Sequence, residues 1–322
     1  MSAPDRTGTA RGTPAAERAP HEAAWPELRF EDWRDSYATL HRWSQVVGKT
    51  PLALCPSVNH WWHVAFHVTG RGLHAGPMPY GDRTFDVDFD LLAHRLVVRT
   101  SRAQVRELPL RPRSVADFYA EYLALLDDLD IRFRMLARPV ELPDATPFDE
   151  DRAHAAYDPE AVGRFFLALA SADRVLKEFR GRFLGKASPV HFFWGGFDLA
   201  ATRFSGRTAP PHPGGAPNVA DWVMREAYSH EVSSAGFWPG SDAVPEPLFY
   251  AYAYPEPPGF AEAPVGPRGT YYHPELREFV LPYDAVRTAA NPDATLLEFL
   301  HRTYEAAADL AAWDRAALER VG

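Results

Sequence analysis

Three histidines and a glutamate are the side chains of this sequence whose types and neighbours best suit chemistry. His60 and His191 each begin an aromatic segment of strand-like composition, and His230 and Glu231 stand side by side in a polar, aromatic stretch. Imidazoles exchange protons near neutral pH and bind divalent transition metals. Adjacent residues of a strand face opposite sides of a sheet, so His230 and Glu231 should not serve one pocket directly. We predict acid–base or metal-assisted chemistry by His60, His191, His230 and Glu231.

The sequence leaves open whether a metal takes part. The spacing of the histidines matches no short ligand motif such as His-Glu-x-x-His, and no cofactor is specified. The alternative is that the three imidazoles only complete hydrogen bonds within an aromatic core.

Aromatic and cationic residues near these histidines indicate a pocket. Only three of the 34 Lys and Arg residues are lysines. Two of them, Lys49 and Lys186, follow a glycine at matching places, which suggests point-charge anchors for an anion. The plainer explanation is that each balances the end of a helix. An apolar pocket with a few cationic donors suits a small anionic or aromatic ligand. The predicted ligand-binding residues are Lys49, Lys186, Trp61, Trp62, Trp194, Arg203 and Trp238.

The sequence gives little support for a serine or cysteine nucleophile or for a phosphate-binding loop. No Gly-x-Ser-x-Gly elbow surrounds the serines near His230, and Cys55 lies in an apolar stretch that favours a buried, unreactive thiol. Residues 185–188 lack the preceding glycine and the following helix of a phosphate-binding loop.

The two lysines also mark an internal repeat. Gly48-Lys49 and Gly185-Lys186 each close a helix-like segment shortly before an aromatic strand. Both copies later reach a Leu-Pro pair, at 108–109 and 281–282, and then a closing amphipathic helix. We therefore predict an α+β fold, a tandem duplication of a helix–antiparallel β-meander–helix unit that packs as an intramolecular pseudo-dimer.

This repeat divides the chain into four parts. The predicted boundaries are a disordered tail at 1–24, a first repeat at 25–138, a solvated acidic and proline-rich linker at 139–158, and a second repeat with longer insertions at 159–322. Within the repeats, periodicity predicts a helix over 35–47 that ends at Gly48, and strands over 60–69, 73–79, 85–90, 95–100, 104–108, 191–204, 225–233, 248–254 and 278–281.

Composition narrows the class of protein. The formal net charge is −9 and basic residues are scattered, which disfavours nucleic acid as a partner. A single cysteine excludes an internal disulfide and favours a reducing cytoplasm, and no run of about 18 apolar residues predicts a membrane span. A small molecule is the expected partner, and the oligomeric state stays open.

Six longer motifs lie at 37–41, 59–64, 79–85, 111–119, 188–195 and 229–240. Through these motifs the chain resembles the bacterial domain-of-unknown-function family 5996, from about Trp25 to the C-terminal helix. The resemblance implies family membership but no activity. From the candidate site residues, we expect a small-molecule enzyme with a histidine and aromatic pocket between two repeats. The alternative is a non-catalytic module that binds a small molecule or a protein.

Overall fold

The computed structural model describes residues 24–320 and has an α+β architecture. The predicted α+β class is confirmed, whereas the predicted disordered tail lies outside the described residues except for Ala24. No described helix is long and apolar enough to cross a membrane. The described residues form seven α-helices: α1 Arg34–Leu54, α2 Val115–Asp127, α3 Pro159–Gly181, α4 Asp221–Ala227, α5 Tyr283–Arg287, α6 Pro292–Leu310 and α7 Arg315–Leu318.

Two antiparallel sheets hold the strands. Sheet one has the order β1-β2-β3-β4-β5, and sheet two has the order β10-β11-β9-β8-β7-β6. Their strands are β1 His67–Val68, β2 Gly72–Tyr80, β3 Arg83–Asp90, β4 Arg95–Thr100, β5 Val105–Pro109, β6 His191–Phe193, β7 Asp198–Thr208, β8 His230–Trp238, β9 Leu248–Tyr254, β10 Tyr271–His273 and β11 Glu278–Pro282.

The sheets meet at their edge strands. Phe66, just before β1, and Phe192 of β6 exchange two backbone hydrogen bonds of 2.9 and 2.8 Å. Each half of the chain thus runs from a long helix through antiparallel strands to another helix, with the first strand of each half at this junction.

Sheet two has two different faces because strand residues alternate sides. Leu199, Ala201 and Phe237 belong to the main core, where α3 and α6 pack against β7, β8 and β9. Ala200 and Tyr250 belong to a separate small cluster on the other face. That outer face is where the candidate site lies.

Helix α1 does not end at Gly48, contrary to the sequence prediction. It continues to Leu54, so Gly48 and Lys49 lie inside it and Lys49 is buried. The glycine is explained by packing, because a Cβ at Gly48 would overlap the indole ring of Trp194. Lys186 also does not close a helix, since α3 ends at Gly181.

The predicted strand over 60–69 is mostly wrong. His60 lies in a 3₁₀ helix, Asn59–Trp61, and only His67–Val68 is a strand. His60 and Trp61 have φ values of 59° and 61°, a left-handed conformation that no strand accepts. The predicted strand over 225–233 is likewise part helix, since α4 extends to Ala227 and β8 begins at His230.

The segment 139–158 has neither helix nor strand but is less solvated than predicted. Phe148, Asp151 and Tyr157 are buried. Asp151 contacts the guanidinium of Arg42 at 3.3 Å. The segment therefore packs against the fold over part of its length.

Two helix starts follow the sequence signals. Ser114 Oγ accepts a hydrogen bond of 3.1 Å from Asp117 N ahead of α2. Asn291 Oδ1 accepts one of 3.1 Å from Ala294 N ahead of α6, whose first residue is Pro292. These side chains satisfy backbone donors that the first helical turn leaves unpaired.

Candidate functional site

A cavity of about 610 Å³ lies over the outer face of sheet two. Its floor is formed by β7, β8 and β9. Its roof is formed by the last turns of α1, the 3₁₀ helix, residues 134–141 and α4. The walls are mostly apolar and aromatic, and the aromatic residues among them are Trp61, Trp62, Phe193, Trp194, Phe204, Trp222, Tyr228, Tyr250 and Tyr252.

The floor carries polar groups at alternate strand positions. Asp198 and Thr202 of β7 face the cavity, as do Ser234 of β8 and Tyr250 of β9. Tyr250 donates a hydrogen bond to Asp198, and the hydroxyls of Thr202 and Ser234 are 2.8 Å apart. The period of two places these side chains on one surface.

Two carboxyl groups share one end of the cavity. The carboxylate of Glu141 lies directly against Gly195, where a Cβ would overlap it, and both Glu141 and Asp198 approach Gly196. The Glu141 side chain lines the cavity and the residue is exposed, while its carboxylate has no hydrogen-bond or ion-pair partner among the described residues.

Burial controls the acidity of this pair. It raises the pKa of Glu141 to about 7, and the charge of Asp198 adds to this effect. Burial also raises the pKa of Asp198 to about 6, while the hydrogen bond from Tyr250 opposes the rise. The pair can therefore exchange protons near neutral pH.

Lys49 presents an amine to the same cavity from α1. Its side chain is only 2% exposed and its Nζ lies 5.7 Å from the centre of the Trp194 ring. No described carboxylate pairs with it, and burial alone lowers the pKa of the amine to about 8. Lys49 is thus a buried cation beside the Trp194 ring, without a hydrogen-bond or ion-pair partner among the described residues.

One face of α1 fixes the position of Lys49. Gln45 and His41 lie one and two turns before it, respectively, on the same side of the helix. The Nε2–H of His41 donates to Gly195 O at 2.8 Å. Gln45 exchanges two hydrogen bonds of 2.8 Å with the backbone of Val140. The helix is thereby tied both to the turn after β6 and to the segment that carries Glu141.

His60 lines the cavity with both ring nitrogens engaged. Nδ1 lies 3.1 Å from Ala227 O, so this nitrogen must carry the proton and donate. Nε2 then accepts from the Lys186 ammonium at 3.3 Å. Burial, with the nearby charges of Lys186 and His230, lowers the pKa of His60. The structure therefore holds His60 as a neutral imidazole.

The three predicted histidines are not one cluster. The His230 ring lies 5.7 Å from the His60 ring. His191 is buried beside His67 outside the cavity lining, with its Nδ1 unpartnered and its pKa lowered by burial to about 3. Glu231 faces away from His230 and binds Arg207 and Ser205 instead.

Four of the seven predicted ligand-binding residues line the cavity. Lys49, Trp61, Trp62 and Trp194 do so. Lys186 contacts the site through His60.

The other two, Arg203 and Trp238, lie elsewhere. The Arg203 guanidinium stacks 3.5 Å from the centre of the Phe179 ring, on the core side of sheet two. Trp238 packs at the edge of the small outer cluster.

A family model described as a family of unknown function (DUF5996) matches residues 25–320. The chain belongs to this family. No curated protein and no solved structure matched in the corresponding searches. All the cavity residues fall within the region of the DUF5996 match. Membership of DUF5996 brings no activity, so any function must be argued from the geometry of the cavity.

Sequence reasoning missed the carboxyl and phenol groups of the cavity. The alternation of Asp198, Ala200 and Thr202 in β7 and of Tyr250 and Tyr252 in β9 could have revealed the floor. Glu141 had no such signal, because it lies in the irregular segment.

One group of three described side chains is close enough to hold a metal ion, on the outer face of sheet one. It comprises His74, Asp86 and Asp88, whose potential ligand atoms lie within 4.8 Å of one another. Asp88 already contacts His74 at 2.7 Å and also pairs with Arg99. These ion pairs account for the group without a metal.

Proposed function

We propose that this protein is a small-molecule enzyme that binds a mostly apolar, aromatic or long-chain substrate in the cavity over sheet two. The observation that carries the proposal is that three ionisable side chains, Lys49, Glu141 and Asp198, face one apolar cavity without forming ion pairs among the described residues. Their roles would be to anchor a polar group of the substrate and to move its protons.

The free energy of burial supports this proposal. Lys49 is the buried one of the three, and an ionisable group taken out of water without a hydrogen bond or ion pair destabilises the folded state by about 1–3 kcal/mol or more. Stability alone would favour an apolar residue of similar volume at position 49. Groups whose pKa values are displaced toward neutrality in a cleft are typical of catalytic sites.

Glu141 is the best candidate for a proton-transfer group. Its pKa of about 7 lets it exist in both protonation states at neutral pH. Asp198 is held by Tyr250 and has the lower pKa of the pair, about 6. We assign Glu141 as general acid or base and Asp198 as the neighbour that raises its pKa.

A different observation favours a non-catalytic binding protein. His60 has both ring nitrogens engaged, and the hydroxyls of Tyr228 and Tyr252 pair at 2.8 Å. Several polar groups of the cavity are thus already satisfied, as in a pocket that only encloses a ligand. In this alternative the ligand would be recovered unchanged.

The architecture also supports a duplicated chain. The cavity takes Lys49 and His60 from the first repeat, Glu141 from the connecting segment and its floor from the second repeat. We propose that the halves are a tandem duplication packed as a pseudo-dimer, because their element orders agree and their first strands meet at Phe66 and Phe192. We also propose a cytoplasmic location, because a single cysteine cannot form an internal disulfide.

A ligand screen on the full chain tests the proposed function. Thermal-shift and native mass-spectrometric screening of an aromatic and long-chain metabolite library should identify ligands whose binding is lost in Lys49→Met. Lys177→Met is the matched control, because Lys177 is exposed and pairs with Asp173 outside the cavity.

Turnover separates the two candidate functions. Each ligand found is incubated with wild type and with Glu141→Gln, and its mass is measured. Chemical change that depends on Glu141 supports the enzyme, whereas unchanged ligand supports the binding protein. Equal binding of all ligands to wild type and to a Lys49→Met, Glu141→Gln double variant would contradict the roles assigned to Lys49 and Glu141.

A further inference from the structure

We propose that Lys49 forms an imine with a carbonyl group of the substrate, so that the cavity acts on aldehydes or ketones with an apolar or aromatic body. This inference rests on the proposed function, since it assigns the substrate class of the same cavity.

The position of Lys49 fits a nucleophile. Its side chain is 98% removed from solvent, its amine borders the cavity of about 610 Å³, and the closest aromatic neighbour is Trp194, whose ring centre lies 5.7 Å from Nζ. No described hydrogen bond or ion pair occupies the amine. Once the amine has lost its third proton, its lone pair is therefore available to a ligand in the cavity.

The choice of lysine over arginine supports the same conclusion. Only three of the 34 Lys and Arg residues of the chain are lysines, and the buried cation on the other face of sheet two is an arginine, Arg203. A site that required only positive charge could use a guanidinium, which never becomes neutral in proteins. An amine can lose its proton and attack a carbonyl carbon.

Desolvation prepares the amine for this reaction. With a pKa of about 8, roughly one amine in ten is neutral at pH 7, on the order of a hundredfold more than for an ordinary lysine. The apolar walls also limit the access of water, which would otherwise reverse the condensation.

The step is balanced without an oxidant or reductant. The neutral amine of Lys49 attacks the carbonyl carbon and a C–N bond forms, giving a carbinolamine. The C–O bond then breaks, and the oxygen leaves as water with the two protons that the nitrogen has lost. The products are one imine and one water molecule.

Reductive trapping tests the proposal directly. The full chain is incubated with 3-phenylpropanal and sodium cyanoborohydride at pH 7, and the adducts are located by peptide mass spectrometry. The two other lysines are internal controls, because Lys177 and Lys186 are both exposed. We expect labelling of Lys49 to be about tenfold or more faster than labelling of either control.

Two variants and a second probe make the outcomes distinct. Lys49→Arg keeps the charge and Lys49→Met keeps much of the side-chain volume, and both should lose the fast adduct while retaining slow labelling of the two controls. 3-Phenylpropanoate has the same body but a carboxylate in place of the aldehyde, and its binding is measured by calorimetry.

Each result then has one meaning. Fast labelling at Lys49 supports the imine. Binding of 3-phenylpropanoate to wild type with equal, slow labelling of all three lysines overturns the imine but leaves the proposed function standing. Failure of both probes, together with a metabolite screen that finds no ligand, overturns both.

Discussion

Two buried cations, Arg203 and Lys49, lie on opposite sides of sheet two and make different contacts. The Arg203 guanidinium lies between the rings of Phe179 and Tyr304, at 3.5 and 4.3 Å from their centres, and donates to Phe179 O. Lys49 faces a cavity with its Nζ 5.7 Å from the centre of the Trp194 ring, and it has no hydrogen-bond partner among the described residues. Stacking and hydrogen bonding make Arg203 part of the core, whereas the unpaired amine of Lys49 indicates a site for a ligand.

Replacement of Lys49 by methionine should stabilise the protein or leave its stability unchanged at pH 7, because it removes a buried ammonium without breaking an ion pair. The folded-state pKa of about 8 lies below the ordinary value of 10.5. Wild type should therefore gain stability as pH rises from about 8 to 10.5, by on the order of 3 kcal/mol at most. Urea unfolding of wild type and Lys49→Met across this range measures the difference. A large loss of stability in the variant at pH 7 would contradict this account.

Arg203→Met should have the opposite effect on stability. The change removes the hydrogen bond to Phe179 O and the stacking on two aromatic rings, so we expect a loss of about 2–4 kcal/mol in the free energy of unfolding. The same urea unfolding experiment measures it. A neutral result would show that the Arg203 contacts contribute little, and would remove the contrast with Lys49.

Glu141 should make stability depend on pH in the acid range. A carboxyl group whose folded-state pKa is raised favours the folded protein at low pH and loses that effect as pH rises from the unfolded value of about 4.5 to about 7. Glu141→Gln should lack this part of the pH dependence, as measured by thermal melts from pH 4 to 8. Glu262→Gln, at a carboxylate outside the cavity lining, is the control. Identical pH profiles for wild type and Glu141→Gln would refute the raised pKa.

At the scale of the element, helix α1 is shaped by what it packs against. Gly48 lowers the intrinsic helix propensity by about 1 kcal/mol relative to alanine. The helix nevertheless continues for six more residues, to Leu54. Its contacts with the turn after β6, through His41 and through Gly48 against Trp194, explain why a local glycine signal does not end it.

Gly48→Ala tests this packing. Alanine improves helix propensity, but its Cβ would overlap the Trp194 ring, and we expect a net loss of about 1–3 kcal/mol from overpacking. Gly163→Ala in α3 is a matched control, because a Cβ there meets nothing within 4 Å and should stabilise by about 1 kcal/mol. Chemical unfolding of both variants should give opposite signs. Stabilisation by both would mean that Trp194 moves aside easily.

Local signals predicted some elements well and others poorly. The strand over 248–254 and the cap at Asn291 follow from alternation and from a side chain that pairs with a nearby N–H. The strand predicted from His60 failed because its aromatic composition reflects contacts with α4, not extended backbone. Trp61 Nε1–H, for example, donates to Val223 O at 3.1 Å.

At the scale of the whole molecule, the site could be predicted only in part. Lys49 and the tryptophans were found because rare or large residues are visible in a sequence. Their convergence with Glu141 and Asp198 was not, because these residues are separated by long stretches of chain and meet only through tertiary packing. The α+β class could be predicted because it depends only on recognising helices and strands from local patterns.

The roof of the cavity has a consequence for the speed of binding. Helix α4 has no buried residue and Trp222 is 59% exposed, while hydrogen bonds from His60 and Trp61 hold the helix in place. Such a segment can open at a much smaller free energy than the sheet beneath it. We expect the observed association rate of a ligand to level off at high concentration, at the opening rate of α4. In stopped-flow fluorescence, Trp61→Phe should raise that plateau, and a strictly linear dependence on concentration would mean that the entrance is always open.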